Sequence, residues 1–330
     1  MSDVAEQAGV SVTTVSHVIN NTRPVSEDLR GRVVLAMAAL NYQPNRLARS
    51  LRQGRTHTLG MIVPDNANPY FAEVARGIEE TAYRNQYSLI LCNSEGDVDR
   101  ERFYINVLLE KQVDGLILVA AGSSTSSIAD IALPPMVVVD RDLPNIHADA
   151  VLTENAQGGR LATEHLLALG HRRIACITGA SDVISTAERA TGYRQALVAA
   201  GVAVDESLVV KAAFDYASGY AAAKGLLTCP NPPTAIFACN DLMAVGAISA
   251  GIELGLRIPA DLSIVGFDDV QLASFANPPL TTVAQPKREM GDLAVSLLLE
   301  RMVNPAIPPR RRWLGTELVV RGSTSMPSAQ

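Results

Sequence analysis

From Thr58 onward the chain repeats one pattern, a short apolar run followed by a stretch of helical length. The runs read as strands at Leu59–Val63, Ser88–Cys92, Gly115–Val119, Met136–Asp140, Ala150–Leu152, Ile174–Thr178, Leu208–Val210, Ala235–Cys239, Ser263–Gly266 and Thr281–Ala284. Amphipathic stretches lie between most of them, for example Phe71–Arg84, Gly158–Leu169 and Asp241–Leu254. Strands that alternate with helices pair in parallel, and the helices then cover both faces of the sheet. So many strands suit two doubly wound sheets better than one.

The full 330 residues are too many for one ordinary core, so two or three domains are expected. Hydrophobic residues make up 48% and charged residues 19%, which fits a globular chain and not a disordered one. Apolar runs such as Gly115–Ala121 and Pro135–Val139 are too short to cross a bilayer. No basic segment followed by an apolar core opens the chain, so no secretory signal is expected. Cys92, Cys176, Cys229 and Cys239 lack CxxC spacing and read as buried, reduced thiols of a cytoplasmic protein.

Doubly wound sheets bind ligands beyond the carboxyl ends of their strands. Polar and aromatic residues stand there: Asn68, Tyr70 and Phe71, Asp140 and Arg141, Arg189, Phe214, Asn240 and Asp241, Asp268, and Gln285. Aromatic faces stack on the C–H face of a sugar ring, and Asp, Asn, Arg and Gln pair with its hydroxyls. Each such residue taken singly is more often a turn residue or a helix cap. Asp241 in particular is expected to cap its helix. Of the adjacent Asp268 and Asp269, only one is expected to face the cleft.

The first 60 residues differ in charge from the rest. They hold seven arginines against four acids, net +3, whereas the remainder holds 21 basic and 30 acidic residues, net −9. A small basic head on an acidic body suggests a polyanionic partner for the head. Asp3–Ala8 reads as a short helix ended by Gly9, and Ser11 reads as the N-cap of a second helix, Val12–Asn20, that puts Val15 and Val18 on one face. A third helix starts near Ser26, with Leu29, Val33, Val34, Met37 and Leu40 at helical spacing. Two short helices about a glycine turn, closed by a third, make a helix-turn-helix unit. Its second helix would enter a major groove, with Val12, Thr13 and His17 near base edges. Thr14, Ser16, Asn20, Arg23 and Tyr42 suit the DNA backbone around them.

The string Asp3-Val-Ala-x-x-Ala-Gly-Val-Ser-x-x-Thr-Val-Ser16 resembles the start of a LacI/GalR-family regulator, and the resemblance extends along essentially the whole chain. It implies that Pro44-Asn45 opens a hinge helix, where Leu51 wedges into a central C–G step, Ala48 allows close approach and Arg49 and Arg52 reach phosphates. A helix this short is not stable alone in water and is expected to order on DNA or its dimer mate. The resemblance also implies a periplasmic-binding-protein-like body. Asn68, Phe71, Asp140, Arg141, Arg189, Phe214, Asn240, Asp268 and Gln285 match ribose-binding members of that superfamily, and Tyr70 stands where they carry Phe. It picks Asp268 over Asp269 as the cleft residue and assigns Glu154 no role. One departure concerns the start: Ser2 is a candidate cap, but an apolar anchor before Asp3 is not evident. Either the chain begins a few residues earlier, or the head is less stable than in its relatives.

The expected organisation is a head over residues 1–43, a hinge helix and linker over 44–57, one effector subdomain over 58–157 plus 287–314, and a second over 158–286 plus 315–330. The expected partners are pseudo-palindromic operator DNA, a small sugar with a pentose favoured, and a second copy of the chain in a homodimer. A hexose or a purine is the alternative effector, and a sugar carrier for transport is a more distant reading. No catalytic motif, metal-ligand spacing or cofactor is expected, and His17, His57, His147, His165 and His171 are scattered.

Overall fold

A computed structural model describes the chain except Asn21 and residues 43–54, 123–127, 129–130, 144–145, 180–182 and 329–330. The chain divides into two units, Met1–Thr56 and His57–Gln330.

The first unit holds three helices: α1 (Ser2–Ala8), α2 (Val12–Asn20) and α3 (Glu27–Ala39). Val4, Ala5, Ala8, Val15, Val18, Val33 and Ala36 form its core. Gly9 ends α1 in the left-handed region at φ 59°, where a side chain would be strained. Arg32 of α3 donates to the Gly9 carbonyl at 3.0 Å and so ties the turn to the third helix. Ser11 Oγ accepts from the Thr14 amide at 3.0 Å and caps α2.

Two expectations for the head need correction. Val34 and Leu40 do not face the core and are 54% and 41% exposed. Helical geometry instead turns Val33 and Ala36 inward, with Met37 partly covered. At the start, Met1 and not Ser2 occupies the N-cap position, with no side-chain cap bond, and the Met1 side chain packs on the head core. It supplies the apolar cover before Asp3 that is not evident in the sequence.

The second unit contains two sheets, each of six strands among the described residues. The first holds β1 (Thr58–Val63), β2 (Ser88–Asn93), β3 (Gly115–Leu118), β4 (Met136–Val139), β5 (Asp149–Thr153) and β11 (Arg311–Leu314), ordered β11-β5-β4-β3-β1-β2. The second holds β6 (Ile174–Thr178), β7 (Val209–Lys211), β8 (Ala235–Ala238), β9 (Ser263–Asp268), β10 (Thr281–Ala284) and β12 (Glu317–Val319), ordered β12-β10-β9-β8-β6-β7. All pairs are parallel except β10 with β12. Helices α4 (Pro69–Arg84), α5 (Val98–Glu110) and α11 (Lys287–Val303) pack on the first sheet. On the second lie α6 (Asn155–Ala168), α7 (Ile184–Ala199), α8 (Tyr216–Leu227) and α9 (Asp241–Glu253), and the short α10 (Gln271–Phe275) follows β9.

The chain therefore passes between lobes three times: after β5, after β10 and after β11. Strands β11 and β12 were not legible in the sequence. Both are edge strands, and Arg311-Arg312-Trp313-Leu314 leaves Trp313 50% exposed, so no apolar run marks it. Asp149 at the start of β5 is fully buried and takes Arg301 of α11 at 3.0 Å and Arg310 at 3.1 Å. Burial raises its carboxyl, but the hydrogen bonds from Arg310 and Arg301 outweigh that and hold it below the usual carboxylate range. Cys92, Cys176 and Cys239 are buried and free, whereas Cys229 is only half-buried. Among the described residues no helix is long and apolar enough to cross a membrane.

Candidate functional site

A cavity of about 480 Å³ opens where strand ends from both lobes face each other. Asn68, Tyr70, Phe71, Asp140, Arg141, Arg189, Phe214, Asn240 and Asp268 line it, nine of the ten residues that the sequence assigns to the cleft. Gln285, the tenth, is buried behind this wall and bonded to two of its members.

The first lobe contributes the start of α4. Asn68 caps that helix, its Oδ1 accepting from the Tyr70 amide at 3.0 Å, and Pro69 sets the first turn. Tyr70 and Phe71 thus enter the wall side by side, ring centroids 5.0 Å apart and edge to face. The Tyr70 hydroxyl donates to Asp140 Oδ1 at 2.7 Å. Asp140 follows β4 at φ 68°, a left-handed conformation that functional sites often hold. Arg141 Nη1 donates to the carbonyls of Ala120 at 2.7 Å and Ala121 at 2.9 Å, and its guanidinium lies 5.9 Å from the Phe71 ring centroid.

The second lobe contributes Arg189 from α7. Its Nε donates to Asn155 Oδ1 at 2.9 Å and its Nη1 to the Cys239 carbonyl at 2.6 Å, and its guanidinium lies 3.8 Å from the Phe267 ring centroid. Asp268 Oδ1 is 3.5 Å from Arg189 and accepts from Gln285 Nε2 at 2.7 Å. Burial pushes the Asp268 carboxyl up to about 6, against the opposing pull of Arg189, Gln285 and Lys287. Phe214 stands at φ 66°. Its carbonyl accepts from Asn240 Nδ2 at 2.9 Å, and its ring fills the space a side chain on Gly179 would need.

Asn240, not Asp241, caps α9, its Oδ1 accepting from the Met243 amide at 2.8 Å. Asp241, expected as the cap, is buried one residue further on. It accepts from Thr282 Oγ1 at 2.5 Å and the Val270 amide at 2.9 Å, so it ties α9 to β10. Asp269 turns from the cavity to Arg321 at 2.6 Å.

Several further residues belong to the site. Asp65, Glu95, Ser185 and Thr186 also line the cavity. The strand-end rule that found Asn68 also applies to Asp65 after β1 and Glu95 after β2. Asn155, the residue after Glu154, orients Arg189. Among the described residues no group of three His, Cys, Asp or Glu could hold a metal ion. The cavity offers apolar faces beside carboxylates and amides, which is binding chemistry for a small polar molecule.

On the head, Val12 is 45% exposed, Thr13 and Arg23 are exposed, and Thr14, Ser16, His17, Asn20 and Tyr42 are half-buried. His17 Nδ1 bonds Thr22 Oγ1 at 2.8 Å, and Asn20 Nδ2 folds back on the Ser16 carbonyl at 2.8 Å. Tyr42 packs partly on the head core. Ala48, Arg49, Leu51 and Arg52 lie outside the described residues.

Residues 1–45 match the model for bacterial regulatory proteins of the lacI family, and residues 163–324 match the periplasmic binding protein-like domain. The chain is 41% identical over 326 residues to the ribose operon repressor of Escherichia coli K12, covering 98% of this chain and 99% of that protein. It is 40% identical over 326 residues to the transcriptional repressor PurR of Aliivibrio salmonicida, covering 98% of both. Among solved structures, the lac repressor dimer bound to operator and the anti-inducer ONPF superposes with a TM-score of 0.88, at 31% identity over 98% of each chain. A LacI-family regulator from Enterococcus faecium with bound ribose gives a TM-score of 0.75 at 33% identity, over 82% of this chain and 99% of that one. A helix-turn-helix head joined to a binding-protein-like body defines a regulatory protein that carries its own small-molecule receptor. This chain belongs to the LacI family of bacterial regulatory proteins.

Proposed function

We propose that the chain is a sequence-specific transcriptional repressor whose operator affinity is set by a small sugar, with D-ribose or another pentose first. The observation that carries this reading is the cavity wall, where Phe71 and Phe214 offer stacking faces beside Asp140, Asn240 and Asp268. Carboxylate and amide groups next to aromatic faces suit a ring bearing adjacent hydroxyls. Kinship to a ribose operon repressor and to a ribose-bound regulator supports the choice of ribose.

The protein works as a cytoplasmic homodimer and not as an enzyme. Two heads read a pseudo-palindromic operator through Val12, Thr13 and His17, with Leu51 of each hinge as the central wedge. The subdomains 58–157 plus 287–314 and 158–286 plus 315–330 change orientation when sugar binds. That changes the spacing of the paired hinge segments, and linkage requires operator to shift sugar affinity by the same factor.

The test is the melting temperature of the full-length protein against pentoses, hexoses, their phosphates and purines. A ligand that binds only the folded body raises it. A rise with D-ribose is expected, followed by a change in operator affinity when ribose is added. A rise with a purine or a hexose alone would overturn the pentose assignment.

A further inference from the structure

The turn that leaves β9 is held in a conformation that side-chain-bearing residues rarely adopt, with φ 111° at Asp268 and 51° at Asp269. Such a turn persists only where its surroundings over-determine it. One residue outside the cavity wall meets both peptide groups. Lys287 Nζ donates to the Asp268 carbonyl at 2.5 Å and to the Asp269 carbonyl at 2.8 Å. Lys287 opens α11 and is only 7% exposed. Its ammonium also lies 3.5 Å from Glu73 Oε2 on α4, an ion pair that sets an opposite charge beside it.

Side-chain bonds complete the arrangement. Gln285 holds the Asp268 carboxylate and Arg321 holds that of Asp269. The next residue, Val270, belongs to the second lobe by chain order, yet its side chain is buried with Tyr70, Val74 and Met290 of the first. The turn is thus a piece of one lobe docked on the other, with a buried ammonium at the junction.

We propose that Lys287 is a positioning residue: it fixes the left-handed turn that aims the Asp268 carboxylate into the cavity, and it joins that turn to the helix carrying Tyr70 and Phe71. The effect on ligand rests on the reading of the cavity as a sugar site; the effect on the turn does not.

Two measurements on the full-length chain test this. In hydrogen exchange, Lys287→Met should speed the amides of residues 268–272 about tenfold or more relative to the rest of the second lobe. Unchanged exchange there overturns the proposal. Lys287→Gln, which keeps two donors on a shorter arm, serves the same comparison if the methionine variant does not fold. In a D-ribose titration, Lys287→Met should weaken binding about tenfold or more, the scale of a lost charged hydrogen bond. The same change in an Asp269→Gly background should cost about threefold or less, because glycine holds a positive φ unaided. Equal losses in the two backgrounds overturn the proposal, since Lys287 would then act elsewhere. If the wild-type chain does not bind D-ribose, the sugar assignment fails and the exchange measurement alone decides the role of Lys287.

Discussion

The Tyr70 hydroxyl donates to Asp140 Oδ1 at 2.7 Å and lies 3.3 Å from Gln285 Oε1, so residues 70 and 215 positions apart in the chain meet at one phenol. Burial, together with the nearby Asp140 and Asp268 carboxylates, pushes the phenol well above its ordinary pKa and keeps it a donor. One oxygen of Asp140 is thereby occupied by the protein's own hydroxyl, and the other lies 3.7 Å from Arg141 Nε.

Tyr70→Phe removes that donor and little else. The ligand-free protein should lose about 2 kcal/mol of unfolding free energy, the usual scale for a hydrogen bond to a charged group. Denaturant melts of the two proteins measure this. A difference near zero would mean that the bond carries no net weight.

Asp268 should make ligand binding depend on pH. Its folded pKa of about 6 lies above the ordinary 3.8, so the folded state holds this proton more tightly than the unfolded chain. The stability it contributes is fully present below about pH 4 and is lost as pH rises through about 6, on the order of 3 kcal/mol. The ionised carboxylate is the stronger acceptor for a sugar hydroxyl, so ribose affinity should move the other way. It should be about tenfold weaker at pH 5 than at pH 7.5, with a proton released on binding near pH 6. Calorimetry in buffers of different ionisation enthalpy reads both, and flat affinity across that interval contradicts the assignment of Asp268 as a ligand group.

Gly179 leaves the room that Phe214 uses. A Cβ there would lie 2.0 Å from Phe214 Cζ, a separation that forces the ring to move. Gly179→Ala should therefore weaken ribose binding about tenfold or more while leaving operator affinity without sugar unchanged. Parallel titrations of sugar and DNA separate the two effects. Retained sugar affinity would remove Phe214 from the binding wall.

Ser11 caps α2 through the Thr14 amide. Ser11→Ala should cost the head about 1 kcal/mol. Amides of residues 12–20 should exchange about fivefold faster in the full-length protein, with the body unaffected. Unaltered exchange would show that α2 is held by its packed face alone.

Much of the architecture was legible because its signals are local. Strand–helix alternation announced parallel sheets, and ten of the strands lie where apolar runs mark them. The strand-end rule collected nine residues that do share one cavity, because every parallel crossover delivers its loop to the same edge. Apolar runs do not mark β11 and β12, whose half-exposed side chains carry no period. The capping pattern did not single out the cap of α9, since Asn240 and Asp241 both satisfy it and only the chain's approach to the helix chooses between them.

The sequence by itself determined the helix-turn-helix head, the doubly wound sheets and the kinds of residue that line the cavity. These follow from periodicity, turn chemistry and side-chain type over short windows. Tertiary structure alone decided that Tyr70 spends its hydroxyl on Asp140, that Arg189 is oriented by Asn155, and that Lys287 holds the turn at Asp268. A hydrogen bond between residues tens or hundreds of positions apart depends on how two lobes bring their strand ends together, and no local pattern records that distance.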